Sequence, residues 1–536
     1  MIKGGVFMVL ELKNITKYYG DKKVLEIEHL KIYENEKVGI VGQNGSGKTT
    51  LLNMISGRIK PDTGEITCHQ NIIYMEQFEE LDSENKYLSG GEKKKQAFNK
   101  KIVNQNGILL LDEPSSNLDR NAINYVEKEL KKYKGPILLI SHDRSLLDEI
   151  CTSIIEIAEG KVKKYEGNYT KYKLQKEAET KRKEFEYIQY IEEKHRLEKA
   201  IQISKNTARE VRKTPKRMGN SEARLHKRGV ENIREKLEGH TNALKTRLDK
   251  LEVKERPQNN SKICMQYQTD QKVKSKIAIR IENLNIQLGD KILFKNANGI
   301  VKTNSKTALI GENGIGKTTL VKEIMQQQHQ SIKINPNIKI GYFSQDFTNL
   351  NMHTSIIENV MKDTNYAEEM VKNILANLLF KDKDLDKKIK NLSGGERVKV
   401  SIAKILVSES NLLLLDEPTN FLDIPSIEAL EDLLKKYNGT ILLVTHDKTF
   451  IDHIATDIWR IRDHKIEEYA GNYSSYLQYE KEKLKKQKNN NENDRLLLEF
   501  KLSQISSELS ITKDEKRKTE LEEEFNRLIK LKHLTN

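Results

Sequence analysis

Two glycine-rich segments of this sequence have the residue types and spacing of a phosphate-binding loop. Residues 42–50 read GQNGSGKTT and residues 311–319 read GENGIGKTT. The apolar stretch 37–41 predicts a strand before the first loop, and residues 51–56 predict a helix after it. Glycines let backbone N–H groups point at phosphate oxygens without side-chain clashes, and the helix N-terminus adds its positive end. Both segments therefore predict P-loops that bind a nucleotide.

The two loops carry the same set of candidate ligand residues. Lys48 and Lys317 should reach the β- and γ-phosphates, and the hydroxyls of Thr49 and Thr318 should bind Mg²⁺. The other loop residues are predicted to contact the nucleotide. They are Gly42, Asn44, Gly45, Gly47 and Thr50 in the first loop and Gly311, Asn313, Gly314, Gly316 and Thr319 in the second.

Two apolar segments end in adjacent carboxylates. Residues 108–114 read ILLLDEP and residues 412–418 read LLLLDEP, so each predicts a buried strand with two acids at its carboxyl end. The aspartate suits Mg²⁺ coordination through water, and the glutamate suits general-base activation of the attacking water. These pairs are Asp112 with Glu113 and Asp416 with Glu417. A lone apolar strand that ends in aspartate is common, so the surrounding motifs decide its meaning.

Those surrounding motifs are the same in both copies. LSGGE stands at 88–92 and at 392–396, and a histidine follows the next apolar segment in each copy. LSGGE after a P-loop and before LDEP resembles the ABC ATPase family, which implies ATP hydrolysis with Mg²⁺. The resemblance makes Ser89, Gly91, Glu92, Ser393, Gly395 and Glu396 signature residues, Gln77 and Gln345 metal-side glutamines, Asp119 and Asp423 D-loop aspartates, and His142 and His446 switch histidines.

The predicted environment of the adenine differs between the copies. Tyr19 stands where the family often stacks an aromatic ring on adenine, although an ordinary strand-end tyrosine would look the same. The second copy has Leu288 at this place, so its contact with adenine lacks an aromatic ring.

The motifs form an internal repeat whose spacing changes at one point. The P-loop lysines lie 269 residues apart and the glutamines 268, whereas the signature serines, the glutamates and the histidines each lie 304 apart. The second copy therefore has 36 more residues between glutamine and signature, the interval that builds the helical subdomain of ABC proteins. We expect this subdomain to be nearly absent from the first copy. The resemblance also implies that each P-loop pairs with the signature of the other copy within one monomer, and both sites retain every polar group for hydrolysis.

Composition limits the partners and the cellular location. Lys and Arg outnumber Asp and Glu by 93 to 79, a net charge of +14 that suits a polyanionic partner. Three scattered cysteines, Cys68, Cys151 and Cys264, imply no disulfide framework and agree with a reducing cytoplasm. No segment has the run of about 20 apolar residues that a membrane helix needs, so we expect that the chain does not itself cross a membrane. The nearly absent helical subdomain of the first copy would remove much of the surface on which a membrane protein could dock, so we expect no membrane partner.

Between the two copies lies a polar, basic segment, 172–258. Residues 175–213 and 221–254 have helical spacing, and the turn-forming residues between them predict a hairpin about 57 Å long, with Ser221 as the cap of its second helix. A solvated coiled-coil spacer is the plain alternative, but the basic tip favours phosphate contacts. The candidate RNA-binding residues are Arg209, Arg212, Lys213, Thr214, Lys216, Arg217, Met218, Arg224, Lys227 and Arg228.

The segment 483–536 follows the second copy. Its polar stretch 488–493 predicts a flexible linker, and residues 496–509 and 519–534 predict two short amphipathic helices. These helices could bind a partner or pack on each other.

Two cassettes in one α/β chain, 8–171 and 277–482, joined by a basic helical linker, resemble the ABC-F family. The resemblance implies binding at the tRNA exit site of the 70S ribosome, with the linker directed toward 23S rRNA, P-site tRNA and the peptidyl-transferase centre. Residues 215–228 are similar to the linker tip of the Vga/Vml/Lsa-like antibiotic-resistance branch, which implies displacement of lincosamide, streptogramin A or pleuromutilin drugs. The alternatives are a housekeeping ABC-F translation factor and the ATPase subunit of a transporter.

Overall fold

The computed structural model describes residues 7–76, 106–115, 118, 120–210, 220–254, 275–343, 346–362, 364–511, 521 and 523–529. They form two compact units that divide near residue 264. Each unit is an α/β domain built around parallel strands, as the sequence predicted.

In the first unit, nine strands of the described residues form one sheet, in the order β4-β1-β2-β9-β8-β3-β7-β6-β5. The neighbours β5–β6–β7–β3–β8 run parallel, and β3, β6 and β7 are short, buried apolar runs, as expected for strands covered on both faces. The strands are β1 (Met8–Tyr19), β2 (Lys22–Tyr33), β3 (Lys37–Gly42), β4 (Thr63–Cys68), β5 (Ile72–Met75), β6 (Ile108–Asp112), β7 (Ile137–Ile140), β8 (Ser153–Ala158) and β9 (Lys161–Glu166). The helices are α1 (Lys48–Ile55), α2 (Arg120–Lys132) and α3 (Arg144–Ile150).

Two long helices follow β9 and form the predicted hairpin. They are α4 (Tyr169–Glu210) and α5 (Asn220–Asp249), and we call them together the arm. The hydroxyls of Ser204 and Thr241 lie 2.8 Å apart in its buried interior. Asn220 is already helical, so the prediction that Ser221 caps α5 is wrong. Residues 211–219, where the turn is predicted, lie outside the described residues.

The second unit has two sheets among its described residues, in the orders β11-β10-β13 and β14-β15-β16-β12-β17-β18. Strands β14, β15, β16, β12 and β17 run parallel. The strands are β10 (Ile277–Leu288), β11 (Lys291–Lys302), β12 (Lys306–Ile310), β13 (Ile332–Ile334), β14 (Ile340–Phe343), β15 (Leu412–Asp416), β16 (Thr440–Val444), β17 (Asp457–Arg462) and β18 (Lys465–Ala470). The helices are α6 (Lys317–Gln326), α7 (Ile356–Met361), α8 (Glu368–Asn377), α9 (Gly394–Leu406), α10 (Ile424–Lys436), α11 (Lys448–Ile454) and α12 (Tyr473–Ile511).

The interval between glutamine and signature is a helical subdomain in the second unit, as predicted. Helices α7, α8 and α9 bury Ile356, Ile374 and Val398 in one apolar cluster. The corresponding interval of the first unit, 77–105, lies outside the described residues, so the near absence of its helical subdomain stays a prediction.

The predicted linker at 488–493 is wrong, because α12 continues through it without a break. The stretch contains lysine, glutamate and asparagine but neither glycine nor proline, and the cost of asparagine in a helix is below about 1 kcal/mol per residue, so this polar stretch does not end the helix. Residues 523–529 are also helical, and Ile505 and Leu521 are buried. Residues 483–511 are therefore a continuation of the helix that follows β18.

Candidate functional site: two nucleotide sites

Each P-loop lies between a parallel strand and a helix, β3 and α1 in the first unit and β12 and α6 in the second. The last glycine before each helix is left-handed, with φ of 102° at Gly47 and 111° at Gly316. A Cβ at Gly47 would approach the side chains of Val24 and Leu25 to 3.0 Å. Backbone conformation and space therefore both require glycine here.

The P-loop lysines lie along their own loops. Lys48 Nζ donates to the carbonyl oxygens of Gly42 at 2.8 Å and Gln43 at 3.0 Å. Lys317 Nζ makes the same two contacts, at 2.8 and 3.0 Å, with the loop that begins at Gly311. Both lysines are buried, so each holds a partly desolvated cation at the place where phosphate is expected.

The P-loop threonine and the strand-end aspartate form a hydrogen-bonded pair in each unit. Thr49 bonds to Asp112 and Thr318 bonds to Asp416, and burial raises the pKa of both aspartates. Asp416 Oδ1 is buried and has no hydrogen-bond partner among the described residues. Carboxylate and hydroxyl oxygens are the ligands that Mg²⁺ prefers, so these residues fit the ion. Bound Mg²⁺ would neutralise charge on the ATP phosphates.

Both candidate general bases have a left-handed backbone, with φ of 52° at Glu113 and 51° at Glu417. Their N–H groups donate to the neighbouring strand, to Ile140 O at 2.9 Å and Val444 O at 2.8 Å. This conformation costs a non-glycine residue roughly 1–3 kcal/mol, and such strain is concentrated at functional sites.

The switch histidine contacts the glutamate differently in the two units. His142 Nε2 lies 2.6 Å from Glu113 Oε1. In the second unit, His446 Nε2 is 3.5 Å from Glu417 Oε1 and 3.2 Å from Lys317 Nζ. Burial raises the pKa of Glu417 to about 8, and the Lys317 charge opposes that rise. The contacts of the switch histidine therefore differ between the two sites.

The signature of the second unit begins a helix. Ser393 and Glu396 form a capping box on α9: Ser393 Oγ accepts from the Glu396 N–H, and Glu396 Oε2 accepts from the Ser393 N–H at 2.8 Å. Gly395 is buried in the same turn. Asp423 caps α10 by accepting from the Ser426 N–H at 3.0 Å. The predicted residues Gln77, Ser89, Gly91, Glu92, Asp119 and Gln345 lie outside the described residues.

Tyr19 and Leu288 occupy matching positions, each the last residue of the first strand of a hairpin. Tyr19 pairs with Lys22 and Leu288 pairs with Lys291 across their turns. Their side chains are 51% and 67% exposed, so both are accessible to a nucleotide base.

Of the candidate RNA-binding residues, Arg209 has a described side chain, and it is exposed. Arg212, Lys213, Thr214, Lys216, Arg217 and Met218 lie outside the described residues, and the side chains of Arg224, Lys227 and Arg228 are not described.

The sequence analysis did not identify two aspartates that follow the switch histidines in the sequence. Asp148 and Asp452 each accept a hydrogen bond from the first turn of a long helix. Their only sequence signal is the shared spacing of 304 residues.

Comparison with known proteins agrees with this geometry. Residues 25–80 and 294–420 match the family described as "ABC transporter". The erythromycin resistance ATP-binding protein MsrA of Staphylococcus epidermidis is 33% identical over 85% of this chain and 98% of its own length. The ribosome protection protein VmlR of Bacillus subtilis is 30% identical over 97% of both chains. The ATP-binding protein Uup of Buchnera aphidicola is 30% identical over 90% of this chain and 84% of its own length.

Solved structures share the fold. A crystal structure of an archaeal ribosome recycling factor with a ribosomal stalk protein aligns with a TM-score of 0.55 at 18% identity, over 85% of this chain and 90% of that chain. The RNase-L inhibitor aligns equally well, with a TM-score of 0.55 at 17% identity over 86% of this chain and 90% of that chain. Within the described residues, no helix is both long and apolar enough to span a bilayer.

Proposed function

The chain belongs to the ABC-F family of ATPases, and from this premise we propose that it is a ribosome-protection ATPase. In this proposal it binds the tRNA exit site and inserts the arm toward the peptidyl-transferase centre, where it contacts 23S rRNA and P-site tRNA. It thereby dislodges lincosamide, streptogramin A or pleuromutilin drugs. The observation that carries the proposal is similarity over nearly the full length to two relatives named for erythromycin resistance and ribosome protection.

The composition of the arm supports the proposal that the partner is a nucleic acid. The arm consists of two packed helices, α4 and α5, that follow β9 of the first unit. Nine positive residues and two acids occupy 205–228, the segment that includes the predicted tip. A dense group of Lys and Arg at the end of a rigid helical pair suits phosphate backbones, which attract cations regardless of sequence.

The chemistry at each proposed site follows from the groups in place. The P-loop amides and lysine would hold the phosphates, and Glu113 or Glu417 would accept a proton from the attacking water. His142 or His446 would hold the glutamate and the γ-phosphate in line. The pairing of each P-loop with the other unit's signature stays a prediction.

Drug tolerance in a sensitive bacterium tests the proposal. Cells that express the protein should tolerate one or more of the three drug classes better than cells that express the Glu113→Gln/Glu417→Gln variant at matched levels. Ribosome co-sedimentation without any gain in tolerance would favour the housekeeping factor, which the Uup match makes the second candidate. Purified protein should also rescue drug-inhibited translation in a membrane-free extract, whereas a transporter subunit would not.

A further inference from the structure

Each unit contains a short helix that begins directly after its switch histidine. In the first unit, Asp143 caps α3, since its Oδ1 accepts from the N–H groups of Ser145 at 2.9 Å and Leu146 at 3.2 Å. In the second unit, Asp447 caps α11 by accepting from the Phe450 N–H at 2.9 Å. Because the histidine precedes the capping residue, its position and that of the helix start are fixed together.

The C-terminal part of each short helix contacts the start of a long helix. Asp148 Oδ1 accepts from the Thr170 N–H at 2.7 Å, and Asp148 Oδ2 accepts from the Thr170 hydroxyl at 2.6 Å. Asp452 Oδ1 accepts from the Ser474 N–H at 2.7 Å. The first N–H groups of a helix lack intrahelical acceptors, so a carboxylate from a neighbouring helix fixes the direction in which the long helix leaves.

Apolar packing supports the same connection. Ile451 of α11 shares a buried cluster with Tyr473 and Tyr476 of α12 and with Ala308 of β12, the strand that leads into the P-loop. In the first unit, Leu147 of α3 and Tyr172 of α4 are also buried. Close-packed interiors transmit strain. Each short helix therefore connects a switch histidine mechanically to the first turns of a long helix, which we call the helix root.

From these contacts we propose that α3 and α11 transmit the state of the nucleotide site to the long helices, with Asp148 and Asp452 as positioning residues. In the first unit the element that moves is the arm, so this part rests on the proposed function. In the second unit it is α12, which makes the C-terminal helix a second nucleotide-responsive arm and gives the segment 483–536 a role. The repeat spacing of 304 residues holds for both histidines, both aspartates and both helix starts.

Spin-label distances within the first unit test the proposal. Labels at Glu65→Cys on β4 and Lys199→Cys on α4, both exposed positions, are placed in a background without the three native cysteines. Position 199 lies 30 residues beyond Tyr169. At roughly 45 Å from the root, a rotation of about 10° moves the label by about 8 Å. Distances are measured in the Glu113→Gln/Glu417→Gln background without nucleotide and with Mg-ATP.

We expect the distance to shift with Mg-ATP in the parent and in the control Glu149→Ala, which removes a neighbouring exposed carboxylate of α3. With Asp148→Ala the distribution should broaden and lose its nucleotide response, while ATPase activity in the otherwise native chain stays within about threefold. Asp148→Asn keeps one acceptor and should recover part of the response. An undiminished shift in Asp148→Ala, or no shift in the parent, would overturn the proposal.

The second unit has its own pair of labels, Lys333→Cys on β13 and Lys501→Cys on α12. Their distance should respond to Mg-ATP, and Asp452→Ala should abolish the response. A static distance in the parent would show that α12 is not a second arm. Since no ribosome is present in these measurements, they can fail while ribosome protection stands, and they can succeed if it fails.

Discussion

Glu156 and Arg460 occupy the same place in the two units, on β8 and β17, but carry opposite charges. Glu156 Oε2 pairs with Lys176 of α4 at 2.6 Å, and Arg460 pairs with Glu480 of α12. Both residues also bond to a buried tyrosine of the helix root, since Tyr172 donates to Glu156 at 3.0 Å and Arg460 donates to Tyr476 at 2.8 Å. The reversed pairs disfavour docking of either long helix on the wrong unit, because like charges would then meet.

Loss of the Glu156 carboxylate should destabilise the root of the arm. Glu156→Gln leaves Lys176 and the Tyr172 hydroxyl with a weaker partner at a mostly buried position, which costs about 1–3 kcal/mol. The thermal unfolding midpoint of the full chain should fall by several degrees, and the exposed control Glu166→Gln should leave it unchanged. A double-mutant cycle with Lys176→Met isolates the ion-pair contribution, which should be clearly above zero.

The two general bases can be tested together. Glu113→Gln with Glu417→Gln should bind ATP normally but turn over at least about 100-fold more slowly, since a positioned base contributes roughly 10²–10⁴ in rate. The variant should also remain on ribosomes in the presence of ATP. Filter binding and steady-state phosphate release measure the two properties, with Glu65→Gln as the control. Near-normal phosphate release would remove these residues from the role of base.

The second site should have a distinct pH profile. Burial raises the pKa of Glu417 to about 8, so this carboxyl is mostly protonated at neutral pH and becomes a competent base as the pH rises. In the Glu113→Gln variant, where the second site alone retains its base, kcat/KM should increase as the pH passes through about 8. The rate of the Glu113→Gln/Glu417→Gln variant at each pH is subtracted as the background. A flat profile between pH 6.5 and 9 would show that Glu417 is already ionised in the free protein.

Tyr19 and Leu288, at the expected adenine-contact positions, predict that the two sites bind ATP with unequal affinity. Replacing Leu288 by tyrosine adds a ring that can stack on adenine, and a stacked base contributes about 1–3 kcal/mol relative to alanine. Because leucine retains part of that contact, about 1 kcal/mol, or roughly fivefold tighter binding, is expected at the second site. The measurement uses fluorescent ATP binding in a Lys48→Ala background, with Tyr19→Leu in Lys317→Ala as the reciprocal control. Equal affinity with either residue would mean that position 288 does not touch the base.

Sequence spacing predicted the parts of the site that depend on local structure. A P-loop needs its glycines at fixed spacing, so Gly47, Lys48 and Thr49 could be predicted as P-loop residues from the sequence alone. The contact between Lys317 and His446 could not, because it joins residues 129 apart through the packing of two strands. The hydrogen bond from Thr170 to Asp148 was missed for the same reason. The continuous helix through 488–493 was missed because weak local preferences do not decide where a long exposed helix ends.

The tip of the arm, 213–221, separates two routes of drug displacement. It could push a drug out by direct contact, or shift P-site tRNA and rRNA so that the drug pocket deforms. Thr214, Pro215, Met218 and Gly219 provide no aromatic wedge, and the Lys and Arg around them suit phosphates rather than an apolar drug. We therefore expect the indirect route.

Under the indirect route, Met218→Ala should leave much of the protection intact, whereas joint neutralisation of Lys213, Lys216 and Arg217 should abolish it. The ATPase activity of the free protein should survive both changes, because neither change alters a P-loop, strand-end carboxylate or switch histidine of the candidate nucleotide sites. Drug tolerance of cells with each variant at matched expression measures the outcome, and phosphate release by the purified proteins is the control. Loss of protection in Met218→Ala with retention in the charge variant would establish direct displacement instead. The charge variant removes phosphate attraction and leaves the apolar surface of the tip unchanged, so the two routes give opposite results in the same pair of proteins.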